Sequence, residues 1–324
     1  MHSNRNLILT VAVNYDLNQI KLFINSILIN CPQCDVLFFC DKSVKNIILN
    51  TYPTFEGRFL FSYLDFYTEY KIKKNAKLLH FLSKVISLLI LINNFFALKK
   101  NNLKLNLDNL NLGKYIFINS HFLLRRFTWY SNINRKIKEK YDHIIISDCR
   151  DVIFQNDPIG FIKKKGDFIV SGYEPELIKD NKINKNWLIK TYKKNSEIYK
   201  TLINKNIICA GVTFGTRNMI FEYLERMRTE IINYVISNKK ISVTNLDQCF
   251  HNKIFYYADS KEFILDKSNK LITTFGYTNK LKIKIDKESK KILVNEKIPS
   301  IIHQYDRDSL ISHTLSTWFS NLSA

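Results

Sequence analysis

The sequence predicts an α/β protein with a mixed, mostly parallel β-sheet flanked by helices. Its 324 residues are 46% apolar, which is enough to fill a sizeable core. In the first 66 residues, β-branched apolar runs alternate with apolar side chains at helical spacing, as in successive β-α units. The chain has only 8 Gly and 5 Pro, which argues against a fibrous or loop-dominated protein. We therefore expect a single domain over residues 1–324.

The predicted elements follow from these patterns in chain order. Strands are expected at 7–15, 35–41, 58–66, 143–147, 167–173 and 207–216, with a hairpin at 280–295 and a last extended segment at 299–307. Apolar residues at helical spacing predict helices after the first strand, over 122–141 and 218–237, and from 247 onward.

Residues 68–114 interrupt the alternation and are expected to be an insertion. They are rich in Lys, Asn and Leu, and their most apolar window, 85–98, is too short to cross a bilayer. That window predicts either a core helix or a helix lying on an anionic membrane face.

Composition limits the class of protein more than it identifies a function. The formal charge of +20 would attract nucleic acid, an anionic membrane face or a phosphate-bearing ligand. The lysines are scattered in pairs and triples, so no specific nucleic-acid partner is expected. Six unevenly spaced cysteines indicate reduced thiols, and the N-terminus lacks a secretory apolar region. We expect a cytoplasmic protein, with peripheral contact at the inner face of the membrane left open.

The stretch "IIISDCRDVIFQNDP", residues 144–158, leads a buried strand into two acids. Ligands of open α/β sheets bind at the carboxyl ends of strands, where Asp148 and Asp151 are expected. Their repulsion is relieved either by a divalent cation or by Arg150 in a structural ion pair. A hard cation such as Mn²⁺ or Mg²⁺ would share its coordination with the phosphates of a ligand.

Four segments together resemble those of the GT-A fold glycosyltransferases, in particular family 8-like members. "DCRDVIFQNDP" resembles a bacterial-type variant of the acidic D-x-D motif, and "ICAGVTFGT" is similar to the N-A-G-V segment. "NLDQCFHN" looks like the D-Q-x-x-x-N helix start, and "IIHQYDR" like the C-terminal histidine segment. The four occur in the family's order between residues 148 and 307, and the resemblance covers most of the chain, from about residue 7 to residue 307. The resemblance implies a GT-A fold and a glycosyltransferase activity.

The resemblance also implies roles for individual residues. The metal ligands would be Asp148, Asp151 and His303, with Asp148 also on the sugar nucleotide. Asp247 and Gln248 would be catalytic and face the donor sugar and acceptor. The remaining contacts to the nucleotide sugar would come from Val13, Asn14, Tyr15, Arg126, Ala210, Gly211 and Arg307.

Ordinary structural roles are the alternatives for several of these residues. Asp247 could be a helix N-cap, and Ala210 with Gly211 could form a tight turn. Asp41, at the end of the second strand, could touch a ribose or serve as a cap. The D-x-x-D spacing departs from D-x-D, so Asp148 could contact the ribose or a water. Cys209 stands where the family often has asparagine.

The resemblance implies transfer of a sugar from a nucleotide sugar, a UDP-sugar by expectation, to a glycan or glycolipid acceptor. Retention of anomeric configuration and a role in bacterial surface polysaccharide or lipopolysaccharide synthesis are the finer expectations. The alternative functions are a basic nucleic-acid-binding protein or metal-dependent nuclease, which would use the same acids and charge, and a non-catalytic lectin-like relative.

Overall fold

The computed structural model describes residues 5–63, 122–133, 135–162, 166–237, 246–276 and 281–319. The predicted insertion at 68–114 and its apolar window at 85–98 lie outside these residues.

The described residues form twelve strands and nine α-helices, which alternate in the first 63 residues. The strands are β1 (Asn6–Ala12), β2 (Cys34–Cys40), β3 (Phe59–Tyr63), β4 (His143–Ser147), β5 (Val152–Phe154), β6 (Ile169–Leu177), β7 (Asn206–Thr216), β8 (Phe263–Asp266), β9 (Ile272–Thr274), β10 (Ile283–Asp286), β11 (Lys291–Val294) and β12 (Ile301–His303). The helices are α1 (Leu17–Asn30), α2 (Lys42–Thr51), α3 (Phe122–Ser131), α4 (Arg135–Lys140), α5 (Lys182–Tyr192), α6 (Glu197–Leu202), α7 (Arg217–Ser237), α8 (Asp247–Tyr256) and α9 (Ser309–Phe319).

Seven strands form the central sheet in the order β3-β2-β1-β4-β7-β6-β8. β7 runs antiparallel to both of its neighbours, and the other pairings are parallel. The predicted mostly parallel, mixed sheet is therefore confirmed. β5, β12 and β9 form a small second sheet, and β10 pairs with β11 as the predicted hairpin.

Apolar side chains on both faces of the sheet give it two helical layers. Leu7 and Leu9 of β1 pack with residues of α3, α7 and α8, whereas Ile8 packs on the other face with α1 and α2. This alternation is the two-residue period of a strand. The six cysteines are buried and unpaired, as expected for reduced thiols.

The helix predicted over 122–141 is wrong as a continuous element. α3 ends at Ser131, and α4 begins at Arg135. At the break the Asn132 amide donates to the carbonyls of both Thr128 and Trp129, and the Ile133 amide donates to Tyr130. The bonds to Trp129 and Tyr130 are i→i−3 bonds, which tighten and end the helix. Ser and Asn at this point favour an end, because their side chains compete for backbone hydrogen bonds.

Candidate functional site

The carboxyl ends of β1, β2 and β4 meet at one edge of the sheet because these strands are parallel. Asp148 follows β4 directly. β7 runs the opposite way beside β4, so its first half passes this edge, and the Asp148 amide donates to the Gly211 carbonyl at 2.8 Å. Sequence positions about 60 residues apart thus share one site.

Asp148, Asp151 and His303 come together at this edge. Asp151 immediately precedes β5, and the antiparallel pairing of β5 with β12 sets His303 opposite Val152. His303 Nε2 lies 3.8 Å from Asp148 Oδ2 and 3.8 Å from Asp151 Oδ1. One ligand atom from each residue falls within 4.8 Å of the others. These separations are too long for hydrogen bonds, but they suit one cation with bonds of about 2.1 Å.

Gly211 makes room for the His303 ring. A Cβ at this position would lie 2.3 Å from His303 Cε1 and 2.5 Å from Nε2. Ala210 and Gly211 are inside β7, so the alternative of a tight turn is wrong. The small residue is required by the imidazole that packs on it.

Arg126 is buried between two carboxylates. Its Nη1 donates to Asp148 Oδ1 at 2.5 Å, and its Nη2 donates to Asp247 Oδ2 at 3.0 Å. Burial alone would lower the pKa of Arg126, but the two carboxylates outweigh it and the pKa is raised. Asp247 is the first residue of α8, whose N-cap is Leu246 without a side-chain bond. The N-cap alternative for Asp247 is therefore wrong.

Among the described residues, no guanidinium or ammonium group lies within hydrogen-bonding distance of the Asp151 carboxylate. Burial raises the pKa of its carboxyl, and nearby His303 opposes that shift. Arg150 Nη2 lies 3.9 Å from Asp151 Oδ2 and 3.8 Å from Asp306 Oδ2, with its side chain about half exposed. Such a long, solvent-screened contact contributes little, so the structural ion pair is weak.

The amides of Gln248 and Asn252 fasten α8 to β7. Gln248 Oε1 accepts from the Ala210 amide at 3.1 Å, and its Nε2 donates to the Ile208 carbonyl. Asn252 exchanges hydrogen bonds with both backbone groups of Ile208 at 3.0 Å. The D-Q-x-x-x-N spacing puts both amides on one helix face toward the strand.

Val13, Asn14 and Tyr15 lie at the same sheet edge, on the β1 side of Asp148. The backbone N–H of Asn14 donates to Asp41 Oδ2 at 2.8 Å. Asp41 Oδ1 accepts from the backbone N–H of Val44 and caps α2. Asp41 therefore serves as a cap. Burial, with Cys149 and Asp148 nearby, raises the pKa of Tyr15 to about 12.

A cavity of about 560 Å³ contains the cluster. Four carboxylates reach it, against two guanidiniums, Arg126 and the half-exposed Arg307. The lining that sequence patterns did not indicate comes from Glu174, Asn181, Asn184, Trp187 and Gln304. Glu174 had a usable signal, an acid at the end of an apolar strand, which is the signal that singled out Asp148.

The chain has the GT-A fold. LgtC, a galactosyltransferase solved in complex with donor and acceptor sugar analogs, aligns with a TM-score of 0.54 at 10% identity over 98% of this chain and 96% of that one. An active-site mutant of LgtC gives 0.52 at 9% identity, over 97% and 95%. The bifunctional glycosyltransferase WbbM gives 0.50 at 10% identity, over 98% of this chain and 50% of that one.

Comparisons of sequence are less informative. Residues 108–268 match the model of a domain of unknown function, DUF7780. No curated protein matches the chain. Within the described ranges, no helix is both long and apolar enough to cross a membrane.

Proposed function

We propose that the chain is a metal-dependent glycosyltransferase that moves a sugar from a nucleotide sugar, most simply a UDP-sugar, to a glycan or glycolipid acceptor. The observation that carries this proposal is the cluster of Asp148, Asp151 and His303 at the sheet edge of a GT-A fold. The four quoted motifs and the fold likeness to sugar transferases support it independently.

The residues of the cluster fit a divalent cation. Two carboxylates and an imidazole are suitable ligands for Mn²⁺ or Mg²⁺, and the buried guanidinium of Arg126 pairs with Asp148 and Asp247 and leaves Asp151 to another cation. The raised pKa of Asp151 means that its anion lacks sufficient compensation from the protein alone. A cation held there would bind the donor's diphosphate and stabilise it as a leaving group.

The other residues divide between binding and positioning. Arg307, half exposed at the cavity wall, would pair with the phosphates, and the segment 13–15 would meet the base. Asp247 and Gln248 would face the sugar, with Ala210 and Gly211 behind it. Arg126 has a buried guanidinium that is already engaged, so it would orient Asp148 and Asp247 more than it would touch the nucleotide.

The finer assignments extend this proposal. A histidine as third ligand resembles retaining members of the fold, which favours retention of anomeric configuration. A bacterial surface polysaccharide or lipopolysaccharide acceptor would suit a basic protein working in the cytoplasm or at the inner face of the membrane. The nucleic-acid alternative is not favoured, because the acids line a sugar-sized cavity whose wall also includes the indole of Trp187.

The test is sugar transfer or hydrolysis with a panel of UDP-sugars and Mn²⁺. We expect turnover with Mn²⁺, its loss in EDTA, and a fall of at least about 100-fold in Asp151→Asn, because the cation's charge acts in the transition state. Asp286→Asn, which alters an exposed carboxylate on the β10–β11 turn, is the matched control. Equal turnover with and without EDTA, or in both variants, would contradict the proposal.

A further inference from the structure

We propose that Cys209 and Glu174 are positioning residues that fix the tautomer of His303, so that its Nε2 offers a lone pair to the cation site. This rests on the metal site of the proposed function. Both residues are buried behind the cluster, on adjacent strands β7 and β6, whose register pairs Cys209 with Gly172.

The imidazole of His303 has a fixed orientation. β12 is paired on both sides, with Val152 of β5 and Thr274 of β9 opposite His303. The ring packs on Gly211 with no space for even a methyl group. Nε2 therefore faces Asp148 and Asp151, while Nδ1 faces the Cys209 Sγ at 3.1 Å.

The direction of the Nδ1 hydrogen bond decides whether Nε2 can bind a cation. If the thiol donates to Nδ1, the neutral ring carries its proton on Nε2, which then points at two carboxylates with no free lone pair. If Nδ1–H donates to the sulfur, Nε2 is free, and the thiol proton must find another acceptor. The tautomer of His303 thus depends on whether Cys209 has a second neighbour that accepts the proton of its thiol.

Glu174 supplies that acceptor. Its side chain is only 5% exposed and lines the same cavity as Cys209, two residues beyond Gly172, which pairs with Cys209 in the sheet. Burial raises the pKa of Glu174 to about 8, and the Cys209 thiol opposes the shift. Either protonation state keeps an oxygen that accepts, so the chain Glu174–Cys209–His303 does not need an ionised carboxylate.

The first test is ¹⁵N NMR of histidine-labelled protein, with His303 assigned by His303→Gln. We expect the Nδ1–H form in the metal-free wild type and after addition of Mg²⁺. The Nε2–H form in the wild type would overturn the proposal. Cys209→Ala should produce a mixture of the two tautomers.

The second test is Mn²⁺ affinity, measured by EPR without any sugar nucleotide. Cys209→Ala and Glu174→Leu should each weaken Mn²⁺ binding by about 10- to 100-fold, the usual cost of losing an outer-shell partner. Cys209→Ser and Glu174→Gln keep a donor and an acceptor, and should stay within about threefold of wild type. The matched controls are Cys34→Ala, a buried thiol at the start of β2, and Glu176→Gln, a carboxylate of β6 that bonds Asn181 instead.

The outcomes distinguish the positioning role of Cys209 and Glu174 from the metal site on which that role depends. Mn²⁺ binding that Asp151→Asn leaves unchanged would remove the metal site itself. Binding that Asp151→Asn abolishes, but that Cys209→Ala and Glu174→Leu leave at wild-type strength, would overturn the positioning role while the site stands. Should Cys209→Ala fail to fold, Glu174→Leu with Glu174→Gln decides the question.

Discussion

At the residue scale, position 211 shows how little space the site allows. We predict that Gly211→Ala displaces the His303 ring, since the new Cβ would lie within 2.9 Å of three of its atoms. Overpacking of this kind costs about 1–3 kcal/mol of unfolding free energy. Mn²⁺ affinity should fall by at least about 10-fold, because a metal ligand loses its position.

The measurement for Gly211→Ala is Mn²⁺ titration followed by EPR, together with urea unfolding. Gly57→Ala is the control, because a Cβ there would meet nothing within 4 Å. Wild-type affinity in Gly211→Ala would show that the imidazole does not depend on this contact.

Some features of the site could be predicted from the sequence, and others depend on contacts between distant residues. Motif order predicted that Asp148, Asp151 and His303 would meet, and they do; their role as metal ligands stays a prediction. The reason for Gly211 could not be predicted, because it depends on a ring 92 positions away that arrives through the pairing of β5 with β12. No sequence pattern around Cys209 or Glu174 indicates which neighbouring residue accepts a hydrogen bond from it.

At the element scale, His251 of α8 links two other elements. Its Nδ1 is hydrogen-bonded to the Tyr223 hydroxyl of α7 at 2.8 Å, and its Nε2 to the Ser171 hydroxyl of β6 at 2.9 Å. Because the ring is fully buried, its pKa is lowered to about 3. His251 therefore stays neutral in the folded protein while it would charge in the unfolded chain.

This difference in pKa makes the stability depend on pH. Between the folded value of about 3 and an unfolded value of about 6.5, the unfolded state binds the extra proton, so stability falls as pH falls. From about pH 7 to about pH 5, wild type should lose about 2 kcal/mol more than His251→Gln. Urea unfolding of both proteins at both pH values measures it, with exposed His313→Gln as control. Parallel pH dependence in wild type and His251→Gln would contradict the assignment.

Elements were predictable where the apolar period was continuous. β4 was predicted at its observed bounds, and β2 and β7 to within one residue, because their apolar runs are short and end at charged or small polar residues. The break between α3 and α4 was missed because Ile133 keeps the apolar spacing while the backbone turns. An apolar period reports which side chains are buried and not whether the helix is continuous.

At the scale of the whole molecule, the charges of surface and cavity have opposite signs. The chain carries 49 Lys and Arg against 29 Asp and Glu, yet in the cavity the carboxylates of Asp148, Asp151 and Asp247 outnumber the guanidiniums of Arg126 and Arg307, even with Glu174 left out as mostly protonated. A positive exterior attracts an anionic ligand, and an acidic interior requires a cation before the diphosphate can settle there. A nucleic-acid-binding protein would instead place its positive charge on the binding surface itself.

The opposite charges of the surface and the cavity predict which ligands raise the Tm of the protein. In about 150 mM salt, UDP with Mn²⁺ should raise Tm by several degrees, because a ligand at 100 times its Kd stabilises by about 2.7 kcal/mol. UDP with EDTA should leave Tm unchanged. Duplex DNA should bind only at low salt, where counterion release favours any basic surface. A shift with DNA that persists at 150 mM salt, together with none from UDP and Mn²⁺, would favour the nucleic-acid function, because surface charge would then outweigh the cavity in choosing the ligand.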